Sequence, residues 1–256
     1  GYSKASTYYI YRCHWTDEMV RLADKDKANL PKEKQNHYLC HKKRPMNYST
    51  YLFDFDYTLA DSSRGIVTCF QHVLQRNGYL QVADTTIKRT IGKTLEESFT
   101  ILTGVTDSER LAEFRKQYVK EADVYMTANT FLFPETIQTL TALKNAGANV
   151  GIISTKYRYR IKELLDHHLP DGVIDIIVGG EDVKQPKPSP EGLLLAIERL
   201  QTDKTQVLYI GDSTVDAETA QSAGVDFAGV THGVTTAHEL ACYPHVCIMS
   251  SLEELL

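Results

Sequence analysis

Short apolar segments alternate with helical segments from Thr50 to the end of this 256-residue chain. The pattern predicts strands at 51–55, 149–153, 174–178, 207–210 and 225–230, with helices at 135–145, 158–168, 190–200 and 215–223. Such alternation favours an α/β protein with a Rossmann-like, mostly parallel sheet covered by helices. Ligands of such sheets bind at the carboxyl ends of the strands. The polar residues that follow each strand are therefore the first candidates for function.

The interval 63–133 differs, because it carries helical patterns at 66–76, 95–103 and 108–125 and no convincing strand. Asp107 and Ser108 are typical of a helix N-terminus. We therefore predict a small α-helical domain inserted after the first strand, with the α/β core formed by 46–62 and 134–256. Residues 1–45 lack apolar periodicity and form an extension of uncertain role. Its Cys13-His14 and His37, Cys40, His41 could bind zinc, but Cys13 and His14 lack the usual gap between paired ligands, which favours incidental residues.

Composition argues against several classes of function. A formal net charge of -5 gives no general electrostatic reason to bind nucleic acid or anionic lipid. No apolar run reaches the roughly 18 residues that a membrane-spanning helix needs. Five scattered cysteines and no recognisable secretory leader favour a cytoplasmic location. A small anionic ligand would therefore have to be bound by local positive groups, in a monomer or homodimer.

Two carboxylates, Asp54 and Asp56, follow the first predicted strand in the segment LFDFDYT. Carboxylates at this spacing can share one cation, and an aspartate beside magnesium can attack phosphorus because the metal offsets the repulsion between two anions. The second aspartate could protonate the leaving oxygen and then take a proton from water. Taken alone, the pattern is more often a solvated strand end.

Two later strands are followed by groups that could hold a phosphate. Ser154, in the segment GIISTK, could donate to a phosphoryl oxygen, although a hydroxyl at this position more often caps the next helix. Lys187 lies between Pro186 and Pro188, which stiffen the backbone that carries its compact positive charge. Most lysines are solvated surface groups, so Lys187 gains weight only from its context.

Asp212 and Asp216 follow the strand at 207–210 and stand one helical turn apart. Asp212 could reach a metal at the strand end. Asp216 would lie on the same side, where it could hold a metal-bound water or orient Lys187. The alternative is that both carboxylates bind free N–H groups at the start of a helix.

Together and in this order, these segments resemble the haloacid dehalogenase superfamily, whose motifs are Asp-x-Asp-x-Thr, a strand-terminal Ser or Thr, a Lys, and Gly-Asp-x-x-x-Asp. The resemblance covers about 46–256, and the insert resembles the helical cap of the phosphoglycolate phosphatase-like branch. IGKTLEESF at 91–99, LFP at 132–134 and GVTHG at 229–233 are further local matches.

The resemblance implies a role for each matched position. Asp54 would be the nucleophile and Asp56 the general acid and base, while Ser154 and Lys187 clamp the phosphoryl group. Mg²⁺ would be held by Asp54, Asp212 and the carbonyl of Asp56, with Asp216 supporting the site. The residues expected at the substrate are Phe55, Thr58, which also braces the first loop, Thr155, Lys156 and Lys93.

Two positions depart from the pattern. Tyr57 stands where many relatives have glycine, so its side chain must be accommodated beside the nucleophile loop. Gly211 cannot supply the extra acidic metal ligand that some relatives place just before the aspartate, and water is expected there.

The predicted function is a magnesium-dependent phosphatase that hydrolyses a small, phosphoglycolate-like phosphate monoester through an aspartyl phosphate. Pyrophosphate, nucleotides and sugar phosphates stay open as substrates. Asp56 argues against dehalogenation, Leu95 against a hexose phosphate mutase, and the position of Lys93 against phosphonate cleavage. Rivals of another class are a signalling receiver module, which is about half this length and lacks a helical insert, and a catalytically idle binding protein.

Overall fold

The computed structural model describes residues 48–256, and the candidate zinc ligands of the N-terminal extension lie outside this range. The described strands are β1 Thr50–Phe53, β2 Ala60–Asp61, β3 Phe131–Leu132, β4 Asn149–Ile153, β5 Ile176–Val178, β6 Val207–Gly211, β7 Asp226–Val230 and β8 Cys247–Met249. The described α-helices are α1 Ser63–Arg76, α2 Asp84–Lys88, α3 Leu95–Thr103, α4 Ser108–Tyr125, α5 Thr136–Asn145, α6 Arg158–Leu165, α7 Glu191–Leu200, α8 Thr214–Ala223 and α9 Ala237–Leu240.

Six parallel strands form the main sheet in the order β5-β4-β1-β6-β7-β8. Strand β1 is central, with Leu52 paired to Gly151 of β4 on one side and to Tyr209 of β6 on the other. The chain winds in opposite directions from β1, so a crevice opens at the carboxyl ends of β1 and its neighbours. The predicted Rossmann-like α/β fold is confirmed.

Both faces of the sheet are buried, as the apolar run of β1 indicates. Tyr51 and Phe53 point into one apolar cluster, which α5 and α6 complete. Leu52 points into the opposite cluster, which α7 and α8 complete. This two-residue alternation holds β1 rigidly between two packed layers, so the loop that follows it starts from a defined position.

The helical insert, which comprises α1 to α4, lies between the short antiparallel strands β2 and β3. It has a core of its own, in which the rings of Phe70 and Phe99 are 4.8 Å apart and those of Phe99 and Phe114 are 5.1 Å apart. The side chain of Asp107 accepts a hydrogen bond from the backbone N–H of Arg110 at 2.9 Å, which confirms the predicted start of α4. The insert therefore has independent packing above the sheet edge.

Several short elements differ from the expectation. The first strand ends at Phe53 rather than Phe55, because the carbonyl of Phe55 accepts the backbone N–H groups of Leu59 and Ala60 and turns the chain. β3 lies inside the interval predicted to lack strands, and β8 was not predicted at all. These strands have two and three residues, too few to produce a readable alternation. None of the helices described between residues 48 and 256 is long and apolar enough to cross a membrane.

Candidate active site

Polar residues from the segments after β1, β5 and β6 meet at the carboxyl edge of the sheet. Asp54, Lys187, Asp212 and Asp216 are all buried there. Burying charges is costly unless they are paired, so the pairing of each one shows what the site is built to hold.

The Lys187 ammonium lies between two carboxylates. Its Nζ is 2.8 Å from Oδ1 of Asp54 and 2.6 Å from Oδ1 of Asp216, and it is 3.3 Å from the Tyr209 hydroxyl. Burial alone would lower the pKa of Lys187, but Asp216 and Asp54 together raise that pKa well above its usual value. Lys187 is therefore a fixed cation beside Asp54.

Both oxygens of Asp216 are engaged by donors of the protein. Oδ1 accepts from Lys187 and from the Tyr209 hydroxyl at 2.9 Å, while Oδ2 accepts from the backbone N–H of Ser213 at 3.1 Å and its hydroxyl at 2.5 Å. A Cβ at Gly211 would lie 2.4 Å from the Cβ of Asp216, so glycine is required for this close approach. Asp216 is thus placed to orient Lys187, which is one of the two roles that the sequence left open for it.

Asp54 keeps one oxygen available. Oδ1 contacts Lys187, whereas Oδ2 is buried and has no hydrogen-bond partner among the described residues. Burial raises the pKa of Asp54 to about 7 against the lowering effect of Lys187, with Asp216 and Asp56 adding to the rise. Burial also raises the pKa of Asp212 well above its usual value, and repulsion by Asp216 and Asp54 adds to it. An unpaired oxygen among mutually repelling carboxylates is the environment that a cation stabilises.

The site fits a divalent cation with oxygen ligands. Asp54, Asp212 and Asp216 offer carboxylate oxygens that all lie within 4.8 Å of one another. Since the oxygens of Asp216 are already engaged, Asp54 and Asp212 have the free coordinating capacity. Hard oxygen donors of this kind suit Mg²⁺. The carboxylate of Asp56, the fourth residue predicted at the metal, is not in this group and faces elsewhere, which leaves its backbone carbonyl as the predicted ligand.

The Asp56 carboxylate lies beside Lys156 and Ser62. Its Oδ1 is 2.9 Å from Nζ of Lys156 and accepts a hydrogen bond from the Ser62 hydroxyl. The Lys156 ammonium is itself buried and lies 5.9 Å from the centre of the Phe55 ring. Lys156 was predicted at the substrate, and the structure adds that it pairs with the predicted general acid.

Tyr57 adopts a left-handed backbone conformation with φ +59°. Glycine takes this conformation without strain, whereas a residue with a side chain rarely adopts it, so the tyrosine is held there at some cost. The backbone N–H of Tyr57 donates to Ala60 at 2.7 Å and its side chain is buried. A Cβ at Gly233 would come 3.0 Å from the Cβ of Tyr57 and 2.1 Å from Oδ2 of Asp212, so the loop after β7 closes tightly against both.

The remaining predicted residues lie in three places. In the loop after β4, the Ser154 hydroxyl accepts a hydrogen bond from the backbone N–H of Lys156 at 3.2 Å. The Thr155 carbonyl of the same loop packs against Gly180, which follows β5. The Thr58 hydroxyl is buried without a hydrogen-bond partner. Lys93 lies in the loop before α3, and its ammonium forms no ion pair with any residue from 48 to 256. The neighbouring Gly92 lies close to Ser213, because a Cβ added at Gly92 would be 3.5 Å from the Ser213 hydroxyl. The loop that carries Gly92 and Lys93 therefore lies over the site.

Two functional positions were not found from the sequence. Tyr209 lies inside β6, where an aromatic residue is typical of core packing and gives no polar signal. His232 lies in the segment GVTHG, which matches the family but gives the histidine no role of its own. Its Nδ1 is 3.2 Å from the carbonyl of Thr58 and its Nε2 is 3.1 Å from Oε1 of Glu135. The centre of its ring lies 4.1 Å from that of the Phe133 ring, with the two planes tilted by 41°. Both ring nitrogens face acceptors, so the ring braces the loop after β1 against α5.

Comparison with known proteins gives matches over the part of the chain that carries these residues. The family profile described as haloacid dehalogenase-like hydrolase matches residues 51–230, more than half of the chain. A crystal structure from Bacteroides fragilis, described as a haloacid dehalogenase-like hydrolase, is 64% identical with a TM-score of 0.81, covering 82% of this chain and 100% of that one.

Curated relatives at lower identity carry phosphatase names. One from Dickeya dadantii, named a probable phosphatase, is 32% identical over 80% of this chain and 90% of its own length. A pyrophosphatase from Bacillus velezensis is 29% identical over 80% of this chain and 93% of its own. A phosphoglycolate phosphatase from Aquifex aeolicus is 31% identical over 69% of this chain and 82% of its own.

Proposed function

The chain belongs to the haloacid dehalogenase-like hydrolase family, and we propose that it is a magnesium-dependent phosphatase that transfers a phosphoryl group from a small phosphate monoester to Asp54 and then to water. By its family and its relatives the chain is a phosphatase. The metal, the residue roles and the substrate are our proposal.

The observation that carries the proposal is the asymmetry of Asp54. One of its oxygens contacts the fixed cation Lys187, and the other is buried without a partner next to Asp212. A merely structural carboxylate would have both oxygens satisfied. An oxygen that is held in place and left without a hydrogen bond is suited to bind a cation or to form a bond.

The chemistry follows from these positions. A bound Mg²⁺ would supply positive charge that offsets the repulsion between Asp54 and the phosphate and stabilises the oxygens of the transferring group. An oxygen of Asp54 bonds to phosphorus as the bond to the leaving oxygen breaks, and Asp56 gives its proton to that oxygen. Water then attacks the aspartyl phosphate, Asp56 takes a proton back, and inorganic phosphate leaves.

Asp56 has to leave its contact with Lys156 or gain a proton for the first step. Lys156 sits close enough to the site to turn from Asp56 to the phosphate oxygens, so the arriving dianion would draw the ammonium away. The helical insert covers this region through the loop that holds Gly92, and covering the site would exclude bulk water from the phosphoenzyme.

The substrate class is a small phosphorylated compound. Relatives are named for phosphoglycolate and for pyrophosphate, and both are compact anions. We favour a phosphoglycolate-like monoester, since the proposed role of Asp56 is to protonate an alcohol leaving group. Pyrophosphate is the second candidate, because a relative named for it matches 80% of this chain.

The test is phosphate release from a generic aryl phosphate with and without Mg²⁺. We expect activity with the metal, none in the presence of a chelator, and a loss of roughly 10⁴-fold or more in Asp54→Asn. Asp171→Asn, which removes the same charge from an exposed position, should behave like the parent protein. Undiminished activity of Asp54→Asn would refute the role of Asp54. Stable phosphorylation of the protein without phosphate release would indicate a signalling receiver module.

A further inference from the structure

The ammonium of Lys187 carries three N–H groups, and the structure provides three acceptors for them. Two are carboxylate oxygens, Oδ1 of Asp54 at 2.8 Å and Oδ1 of Asp216 at 2.6 Å. The third is the hydroxyl of Tyr209 at 3.3 Å, which is the longest of the three contacts and has a neutral acceptor. Since each N–H group has an acceptor, the ammonium is fully engaged by the protein itself.

This arrangement conflicts with the role proposed for Lys187 at the phosphate. To bind a phosphoryl oxygen, the ammonium has to give up one of its present acceptors. Hydrogen bonds between two charged groups are about twice as strong as those between neutral groups, which favours keeping Asp54 and Asp216. The bond to Tyr209 is therefore the least costly of the three to give up.

Tyr209 is built into the floor of the site. It lies in the middle of β6 and is fully buried. Its hydroxyl is 2.9 Å from Oδ1 of Asp216 and 3.3 Å from the carbonyl of Ile153, the last residue of β4. Burial raises the pKa of Tyr209 well above its usual value, with Asp216 adding to the rise and Lys187 opposing it, so the hydroxyl keeps its proton. The proton goes to Asp216, the nearer and charged acceptor, and the oxygen accepts from Lys187.

Packing alone does not require this hydroxyl. The ring of Tyr209 lies in the same apolar cluster as Leu52 and Phe227, where a phenylalanine would bury the same ring and no polar atom. Burying a hydroxyl costs free energy unless its hydrogen bonds compensate. If the hydroxyl served only to donate to Asp216, its effect would be the same with and without a ligand. Its contact with Lys187 implies a second effect, which depends on the ligand.

We propose that Tyr209 is a positioning residue that occupies one donor of Lys187 until phosphate arrives, and that holds Asp216 in place throughout. The proposal rests on the proposed function, because the phosphate is taken to bind at Lys187. In the free protein, the Tyr209 hydroxyl accepts from Lys187 and donates to Asp216. When phosphate binds, that donor of Lys187 turns to a phosphoryl oxygen, while the hydroxyl stays bonded to Asp216.

Tyr209→Phe tests this exchange, since it keeps the ring and removes the hydroxyl. In the free variant, Lys187 has a buried donor without its acceptor, and phosphate supplies one. Inorganic phosphate should therefore bind more tightly than to the parent, by roughly two- to tenfold. Calorimetric titration with inorganic phosphate in the presence of Mg²⁺ measures this gain.

Turnover should change in the opposite direction. In Tyr209→Phe, Asp216 loses one donor whether or not phosphate is bound, so it holds Lys187 less firmly. We expect kcat for an aryl phosphate to fall by roughly tenfold. Tighter binding of the product combined with slower turnover distinguishes the positioning role from a simple loss of packing.

Urea unfolding gives a readout that does not depend on activity. By linkage, the gain in phosphate affinity equals the difference between the destabilisation of Tyr209→Phe without phosphate and with saturating phosphate. The increase in the unfolding constant of the variant should therefore shrink by roughly two- to tenfold when phosphate is added. A purely structural hydroxyl would give the same destabilisation under both conditions, which would overturn the proposal.

Tyr243→Phe is the matched control. The Tyr243 hydroxyl also bonds a carboxylate, that of Glu218 at 2.7 Å, but it is partly buried and does not contact the groups of the site named above. This variant should keep the parent's kcat and phosphate affinity, and its loss of stability should be the same with and without phosphate.

The outcomes separate this proposal from the proposed function. Unchanged or weaker phosphate binding by Tyr209→Phe, or an unchanged kcat, overturns the role of Tyr209 and leaves the phosphatase proposal standing, provided that the parent binds phosphate and turns over the ester. A parent that neither binds phosphate nor hydrolyses the ester overturns the proposed function itself.

Discussion

The floor of the candidate site and the helical insert above it use charge in opposite ways. On the floor, Lys187 and Asp216 are almost fully buried, and each has several partners. On the insert, Arg89 pairs with Glu239 of the core at 3.2 Å, and both side chains are more than two-fifths exposed. A buried network fixes geometry, because losing one partner leaves another charge without compensation. An exposed pair contributes about 0.2–1 kcal/mol and can change without loss of the fold.

This difference separates chemistry from selectivity. In the proposed function the floor holds the groups that every phosphate ester would meet, and the positions of these groups depend on each other. The face of the insert offers exposed charges that can be exchanged one at a time. A fold built in this way can keep one reaction and alter its substrate, provided that the two regions are energetically as distinct as their burial indicates.

The largest expected effect on stability comes from Asp216→Asn on the floor. The amide side chain of Asp216→Asn has one oxygen in place of two, so it can accept from Lys187 or from Ser213 but not from both. A buried charge is then left poorly paired, or a buried N–H group loses its acceptor. We expect the free energy of unfolding to fall by roughly 3–5 kcal/mol and kcat by roughly 100-fold. Urea unfolding and steady-state kinetics measure the two.

The matched change on the insert is Glu96→Gln, which removes the partner of Arg115 at an exposed position. It should lower the free energy of unfolding by no more than about 1 kcal/mol. Similar losses in Asp216→Asn and Glu96→Gln would show that the two regions do not differ as their burial indicates.

A smaller effect on the floor is expected from His232→Leu. The ring nitrogens of His232 face the carbonyl of Thr58 and the carboxylate of Glu135, and leucine satisfies neither. We expect a loss of about 2–3 kcal/mol in the free energy of unfolding. Because the loop after β1 loses its brace, kcat should fall more than KM rises. His245→Leu at an exposed position should leave both unchanged, and equal behaviour of the two variants would remove the bracing role.

How much of this could be read from the sequence depends on the kind of contact. The meeting of Asp54, Lys187 and Asp212 was predictable, because parallel strands end at one edge and each residue follows a strand or its loop. The side chains that contact these three residues and Asp56 could not be predicted. Tyr209 looks like any core aromatic, and the contact of Lys156 with Asp56 depends on side-chain positions that spacing does not encode. Similarly, β3 and β8 are too short for periodicity, so only tertiary pairing reveals them.

Between the floor and the face of the insert lies a contact of intermediate strength. The guanidinium of Arg160 in α6 is 7% exposed and binds Asp123 and the carbonyl of Val119, both on α4. Arg160→Met keeps most of the buried stem and removes both hydrogen bonds, so it should cost about 1–2 kcal/mol. Urea unfolding gives this value. If Arg160→Met lowered the free energy of unfolding as much as Asp216→Asn does, this contact would be as strong as the buried network on the floor.

An effect as small as that of Glu96→Gln is expected inside the insert, at Glu121 of α4. Its carboxylate is 2.6 Å from Arg76 and 2.7 Å from His72, both on α1, and these hydrogen bonds hold the pKa of Glu121 below its usual value. A lowered pKa means that the stabilisation is complete above about pH 4.5 and is lost as the pH falls through the folded-state value. Glu121→Gln should therefore be less stable than the parent by about 0.5–1 kcal/mol at pH 7, a gap that closes in acid. Glu198→Gln on the exposed surface of α7 should show no such gap. If the gap at Glu121 persisted unchanged at pH 3, its origin would be packing rather than charge, and the contrast between the two regions would lose its electrostatic basis.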